Sequence, residues 1–303
     1  MVKPNFFIVG APKSATTALY EYLDKHPDVF FPKKSIYYFC YDLTFRTPPL
    51  PESVYLNYFR DTRSQKAIGD AAVYNLLSKD VAWKIKEFNP SAKIIIMLRN
   101  PLQMVYAQYH QNVANGDETI EDFEEALDAE SNRRKGDLVP PYHNCPREAL
   151  YYNTVANYYE QVLRYKSVFD LNKIHIILYD DFKADTRTEY QKVLKFLELE
   201  EILPDSFKVV NPSNGVRSKT YLQFLMNPGK IIKAVGRFLF PHHTKSREWL
   251  IDRLWALNSK NTPRQPLTKQ LKQRLLDTYK NDIKQLEKLL NRDLSHWLKI
   301  ENG

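Results

Sequence analysis

The sequence predicts an α/β protein, a doubly wound parallel sheet flanked by helices. Three observations carry this. Strand-like apolar runs alternate with segments of helical periodicity. The run Lys93–Leu98 (Lys-Ile-Ile-Ile-Met-Leu) is continuously apolar, as a strand buried on both faces requires. Two strands end in short turns that lead directly into helices, at Gly10 and at Asn100-Pro101.

Taken in order, Phe6–Val9 reads as a short buried strand and Gly10–Ser14 as a turn. A helix follows to about Lys25, with Leu19, Tyr22 and Leu23 on one face. Pro27 ends it, because the residue before a proline avoids the helical region. Residues 44–53 carry Pro48, Pro49 and Pro51 and predict a surface loop. Lys66–Gly69 reads as a short strand. After Lys93–Leu98, Pro101 suits a first helical position, and Leu102, Val105, Tyr106, Tyr109 and Val113 keep helical spacing. Residues 131–147 are basic, then rich in proline and polar groups, and predict a loop. A helix over about 148–166 leads to a strand over Lys173–Tyr179 and a helix over about 185–198. Leu267, Leu271, Leu275, Tyr279, Ile283, Leu286 and Leu290 mark a long amphipathic helix. The expected organisation is a single domain over 1–303, with a helical part from about 220 packed on it.

The 303 residues are 43% hydrophobic and 26% charged, which excludes a disordered chain and a membrane-embedded one. The net charge of +8 favours anionic partners, and a solvated basic surface satisfies it equally. No clustered basic-aromatic platform is present, so no nucleic-acid partner is expected. Cys40 and Cys145 form no metal-ligand spacing and no disulfide framework. A reducing compartment is the expectation. No stretch approaches about 18 apolar residues, so the reading is a cytoplasmic protein without a transmembrane segment. The basic stretch Lys230–Arg247 carries Ile231, Ile232, Val235, Phe238, Leu239 and Phe240. It reads as an amphipathic helix packed on the domain, with membrane-surface or lipid contact as the alternative.

The first turn, Gly10-Ala11-Pro12-Lys13-Ser14-Ala15-Thr16-Thr17, sits between strand and helix. A helix N-terminus offers unpaired N–H groups and a positive dipole end to an anion. Lys13 adds a full charge, and Thr16 and Thr17 add hydroxyl donors. The alternative is a helix capped by Ser14 or Thr16 with an incidental lysine. The turn is not a nucleoside-triphosphate loop, since Ala15 and Thr16 stand where that pattern needs Gly and Lys.

Pro-Lys-Ser-Ala-Thr-Thr-Ala-Leu resembles the 5′-phosphosulfate loop of sulfotransferases that use PAPS (3′-phosphoadenosine 5′-phosphosulfate). Leu23, His26-Pro27 and Phe30 fit the same family. A second motif of that family is a strand ending in Arg, then Asn-Pro, with Ser eight residues after the Arg. Here Arg99, Asn100 and Pro101 match, and Ala107 stands for the serine. The resemblance implies that Arg99 binds the 3′-phosphate, where its guanidinium can fork onto two oxygens. Asn211 to Lys219, with Arg217, Ser218 and Lys219, resembles the family's loop over the 3′-phosphate. The stretch Leu286–Trp297 resembles its closing helix. The general likeness is to bacterial relatives of the heparan-sulfate enzymes, with a sulfotransferase fold akin to the P-loop NTPases.

The resemblance also exposes departures. Heparan-type enzymes carry Lys-Glu-x-x-Phe-Phe, whose Glu is the general base. Here Ser35 stands in its place, and no Glu occurs between Glu21 and Glu52. An unassisted serine does not take a proton at neutral pH as a carboxylate does. In a further motif, Gly69-Asp70-Ala71-Ala72-Val73-Tyr74, Asp70 keeps an acid and Ala71 loses a lysine. The candidate bases are Asp70 first, His110 second and Asp42 third. Arg217, Ser218 or Tyr152 are candidates to compensate for Ala107.

The expected chemistry is sulfuryl transfer from PAPS, leaving PAP, to a hydroxyl or amine of a small-molecule, glycan or lipid acceptor. Lys13 stabilises the leaving oxygen, Ser14, Ala15, Thr16 and Thr17 line the phosphosulfate, and no metal is needed. Two other classes stay open: a PAPS- or PAP-binding protein without turnover, and a nucleotide kinase.

Overall fold

The computed structural model describes residues 2–32, 35–45, 48–141, 143–207, 214–216, 259–261 and 265–300. Arg217, Ser218, Lys219 and 230–247, singled out from the sequence, lie outside the described residues.

In chain order the first half runs β1 (Phe6–Gly10), α1 (Thr16–Leu23), β2 (Val29–Phe30), α2 (Glu52–Asn57), β3 (Ala67–Ala71), α3 (Val81–Phe88) and β4 (Lys93–Leu98). Then come α4 (Pro101–Asn115), α5 (Phe123–Asp128), α6 (Glu130–Lys135), α7 (Tyr158–Val168), β5 (Ile174–Leu178), α8 (Tyr179–Ala184) and α9 (Thr186–Leu197). A short antiparallel pair, β6 (Asn214–Val216) with β7 (Ser259–Asn261), precedes α10 (Lys269–Leu290).

The main sheet has five parallel strands in the order β2-β3-β1-β4-β5. Side chains alternate between its faces. Phe6 and Ile8 of β1, with Ile95 and Met97 of β4, join the core under α1, α8 and α9. Phe7 and Val9, with Ile94, Ile96 and Leu98, join the core shared with α2, α3, α4, α7 and α10. Burial on both faces explains why these strands read as continuous apolar runs. The chain leaves β1 across one face and β4 across the other, and the two strands are neighbours. That is a topological switch point, where the carboxyl ends of adjacent strands open a crevice.

The doubly wound parallel sheet predicted from sequence is the fold observed. Two local expectations differ. Glu130–Lys135 is a helix inside the predicted loop. Its inward residue is Arg133, paired with Glu118 at 2.8 Å with both side chains fully buried. Arg133 also donates to the Leu150 carbonyl (3.0 Å), and Glu118 accepts from the N–H groups of Thr119 and Ile120 (2.8 Å each). A charged side chain that serves as core leaves no apolar periodicity to read.

The predicted helix over 148–166 is a short 3₁₀ turn, Arg147–Leu150, followed by α7. Between them the Asn153 N–H and the Thr154 hydroxyl bond to Glu130. The start of α7 is fixed from α10: the Asp282 carboxylate accepts from the N–H groups of Tyr158 (2.8 Å) and Tyr159 (3.0 Å). This is an N-cap supplied by another element.

α10 begins at Thr268, whose hydroxyl accepts from the Leu271 N–H at 3.2 Å. It buries Leu271, Leu275, Tyr279, Ile283 and Leu286, in keeping with the sequence periodicity. Beyond it, buried Trp297 donates from its indole nitrogen to Asp180 at 2.7 Å, beside the end of β5. Among the described residues no helix is long and apolar enough to cross a membrane.

The first turn depends on a close approach at Gly10. Its φ is +155°, and a Cβ there would lie 2.7 Å from Leu76 Cβ and 2.8 Å from the Val73 carbonyl oxygen. Gly10→Ala should destabilise the protein by about 1–3 kcal/mol, as overpacking does. Urea unfolding measures it, and an unchanged midpoint would contradict this packing account.

Candidate active site

The first turn is built against β4. The Ala11 N–H donates to the Met97 carbonyl at 2.6 Å, which holds the loop beside its neighbouring strand. Lys13 (φ 58°) and Ala15 (φ 67°) both adopt the left-handed conformation, and this curls the chain into the start of α1. No side chain caps α1, and its first turn carries no acidic residue. Ser14 turns inward and donates to the Pro12 carbonyl at 3.3 Å. Neither Ser14 nor Thr16 therefore serves as the cap, and the helix N-terminus keeps its affinity for an anion. Ser14 and Thr16 are buried, and Thr17 is half-buried.

The second turn meets the first. Arg99 follows β4, and its Nη1 donates to the Lys13 carbonyl at 3.2 Å. Its Nε and Nη2 both donate to Gln103 Oε1, each at 3.2 Å. The guanidinium lies 4.3 Å from the ring centre of Tyr179 at the end of β5. Asn100 caps α4 by accepting from the Leu102 N–H at 3.0 Å. Ala107, one turn of α4 beyond Gln103, is fully buried.

Three residues that sequence reasoning missed complete the arrangement. Lys13 Nζ donates to Gln111 Oε1 at 2.9 Å. Gln111 shares a helix face with Gln103 and Ala107, a four-residue spacing from Arg99 onward that was available as a signal. Tyr158 is fully buried, and its hydroxyl lies between the Ser14 side chain and the Arg99 N–H. Burial raises its pKa, opposed by Ser14 and by the Arg99 charge. Tyr179 stands where β5 ends, at the same sheet edge as the two turns.

The remaining sequence candidates stand elsewhere. Asp70 lies in β3 opposite Phe7 and is 1% exposed. The Tyr55 hydroxyl donates to its Oδ2 at 2.7 Å, while Oδ1 has no hydrogen-bond partner. Burial pushes the Asp70 carboxyl up to about 7, opposed chiefly by the hydrogen bond from Tyr55. His110 packs edge-on against Tyr106 (4.4 Å) and Tyr109 (5.2 Å). The Tyr152 hydroxyl is committed in the core, donating to Glu118 at 3.1 Å and accepting from Asn112 at 3.0 Å. Asp42 accepts from the Ser78 hydroxyl and the Lys79 N–H. The Ser35 N–H donates to the Ala71 carbonyl at 2.7 Å, so Ser35 sits beside the end of β3. Its hydroxyl lies near that of Tyr37. Lys13, Ser14, Ala15, Thr16, Thr17 and Arg99 are thus brought together, and Asp70, His110 and Tyr152 are not. Among the described residues no group of His, Cys, Asp or Glu is arranged to hold a metal ion.

Two cationic strand ends meet at a switch point, beside an uncapped helix N-terminus. A sulfotransferase domain model matches residues 3–208, most of the chain and both turns. The chain belongs to the sulfotransferase family.

Several named relatives are similar to this sulfotransferase. The membrane-associated sulfotransferase kil1 of Dictyostelium discoideum is 23% identical, covering 69% of this chain and 59% of its own length. Human carbohydrate sulfotransferase 15 is 24% identical over 65% of this chain and 44% of its own. Mouse heparan sulfate glucosamine 3-O-sulfotransferase 3B1 is 23% identical over 82% of this chain and 58% of its own. The chain thus spans about half the length of these relatives. A sulfotransferase from Alicyclobacillus acidocaldarius has a similar solved structure, with TM-score 0.72, 26% identity, and 99% and 100% of the two chains covered.

The Asp70 environment has a pH consequence. Its folded pKa of about 7 lies above the ordinary carboxylate value of 3.8, so ionising it in the folded state costs stability. Stability therefore falls as pH rises through that window. Asp70→Asn keeps an acceptor for Tyr55 and removes the charge. It should raise the melting temperature by roughly 3 °C or more at about pH 8, and by much less at about pH 4. Equal shifts at both pH values would show that Asp70 does not titrate there.

Proposed function

We propose that this sulfotransferase takes its sulfuryl group from PAPS and transfers it to a hydroxyl or amine of a carbohydrate or lipid acceptor. The observation that carries the donor reading is the bond from the Arg99 guanidinium to the Lys13 carbonyl. It sets two cations at the mouth of one crevice, as a nucleotide with phosphates at both its 3′ and 5′ positions requires. The acceptor class is supported by the relatives named for carbohydrates and heparan sulfate.

In this reading the first turn receives the 5′-phosphosulfate. Thr16, Thr17 and the N–H groups of α1 supply donors, and Lys13 supplies charge. Arg99, with Arg217, Ser218 and Lys219, receives the 3′-phosphate. The acceptor atom forms a bond to sulfur as the bond from sulfur to the phosphate oxygen breaks. The electron pair stays on that oxygen, and Lys13 stabilises it. The acceptor proton goes to a base, for which Asp70 stands first as the acid kept in the family motif, although it is buried in β3 apart from the two turns. His110 and Asp42 follow.

We also propose a single domain over 1–303. The two cysteines are free and buried, which suits a reducing compartment such as the cytoplasm. A second reading, donor binding without turnover, is favoured by Ser35 at the base position and by Ala107, which lacks a hydroxyl.

PAP should raise the melting temperature where ATP does not; at 100 times the dissociation constant the gain is about 2.7 kcal/mol. Stabilisation by ATP alone would move the assignment to a nucleotide kinase. Lys13→Ala should lower sulfuryl transfer at least about 100-fold with the fold intact. Undiminished transfer in that variant would refute the role given to Lys13. PAP binding with no transfer to any of a broad acceptor panel would favour the second reading.

A further inference from the structure

Lys13 is the terminus of a directed chain of hydrogen bonds along α4. Its ammonium donates to Gln111 Oε1 at 2.9 Å. The same amide donates from Nε2 to Asn115 Oδ1 at 2.7 Å, one helical turn on. The Asn115 side chain in turn lies beside the Asp117 carboxyl. Asp117 follows Gly116, where α4 ends, and it is buried. It is pinned by the Asn144 N–H at 2.5 Å.

The direction of this chain is set from the Lys13 end. An ammonium donates and does not accept. Gln111 must therefore turn its amide oxygen towards Lys13, which leaves its nitrogen for Asn115. Asn115 then presents its oxygen to Gln111. No flipped arrangement of either amide satisfies both bonds. The Gln111 amide is also neutral. It restrains the ammonium without cancelling its charge, as a carboxylate in that place would.

We infer that Gln111 is a positioning residue, which holds the Lys13 ammonium in a fixed direction over the first turn and is itself oriented by Asn115. The inference rests on the proposed role of Lys13 at the leaving oxygen. There an ångström of displacement is enough to lose much of the rate. Gln111 touches neither donor nor acceptor in this account, so donor affinity is set by the two turns.

The test compares Gln111→Met and Gln111→Glu with the unaltered protein. The first readout needs no acceptor: the rate at which acetic anhydride modifies Lys13, followed by peptide mass mapping. Gln111→Met should raise that rate about tenfold, the worth of a hydrogen bond to a charged group. Gln111→Glu should lower it. The second readout is the melting shift given by PAP, which Gln111→Met should retain. The third is PAP formed from PAPS with a heparan-type oligosaccharide. There kcat should fall about tenfold in both variants, with KM for PAPS within about twofold. An unchanged Lys13 modification rate in Gln111→Met overturns the inference. So does loss of the PAP shift in that variant, which would make Gln111 part of the binding surface. If the unaltered protein shows no PAP shift while the modification rates move as stated, the donor assignment fails and the relay to Lys13 stands.

Discussion

The bond from Arg99 to the Lys13 carbonyl fastens the carboxyl ends of two neighbouring strands to each other. Such a bond is possible because β1 and β4 run parallel and adjacent, so their turns emerge at the same edge of the sheet. It is directed because Arg99 is held on its other sides by Gln103 and by the face of Tyr179. A guanidinium with its donors arranged in a plane tolerates few orientations. Once it is fixed, the Lys13 backbone is fixed, and with it the left-handed turn that opens α1. The cationic character of the crevice is thus a consequence of sheet order.

Distant parts of the chain build the floor beneath that crevice. α10 supplies Asp282, which starts α7 at Tyr158, and Tyr158 places its hydroxyl under Ser14 and Arg99. Trp297 and Asp180 lock the segment after α10 beside the end of β5, next to Tyr179. The buried pair Glu118–Arg133 serves the same layer. Desolvating two charges is expensive, and such a pair is tolerable only when its remaining donors and acceptors are satisfied. Here they are met by backbone groups and by Tyr152. The Tyr152 hydroxyl is for that reason a structural contact, although its place in the sequence invited a phosphate role.

The strands β1, β4 and β5 and the two turns were legible in the sequence because each is encoded locally. Two-sided burial demands a run of apolar residues, and a turn that leads into a helix demands small and capping residues. α6 was not legible, since its core side chain is Arg133. The start of α7 was not legible either, since the group that fixes it, Asp282, lies 124 residues away from Tyr158. Gln111 and Tyr158 were missed for a related reason. A glutamine on a helix reads as surface and a tyrosine as core, and only the packing of α4 and α7 over the first turn shows what each one faces.

The departure at Ser35 and the acid kept at Asp70 are related by the pleat of the sheet. Ser35 is bonded to Ala71, whose neighbour across the pair is Ile8, on the α1 side. Asp70, one residue back, pairs with Phe7 on the opposite side and takes the Tyr55 hydroxyl. Because side chains alternate with a period of two, bringing the Asp70 carboxyl to the Ala71 side would take a one-residue register slip, which would turn over every other side chain of β3 as well. In the proposed reaction, proton removal and leaving-group stabilisation are then unequal contributors. The second would have a positioned cation at the first turn, and the first a carboxyl that burial holds largely protonated below about pH 7. In sulfuryl transfer, charge gathers on the departing oxygen, and a fixed field aimed at it acts without any proton moving. On that proposal the site suits acceptors that give up their proton late in the reaction, with the orientation of Lys13 as its main lever.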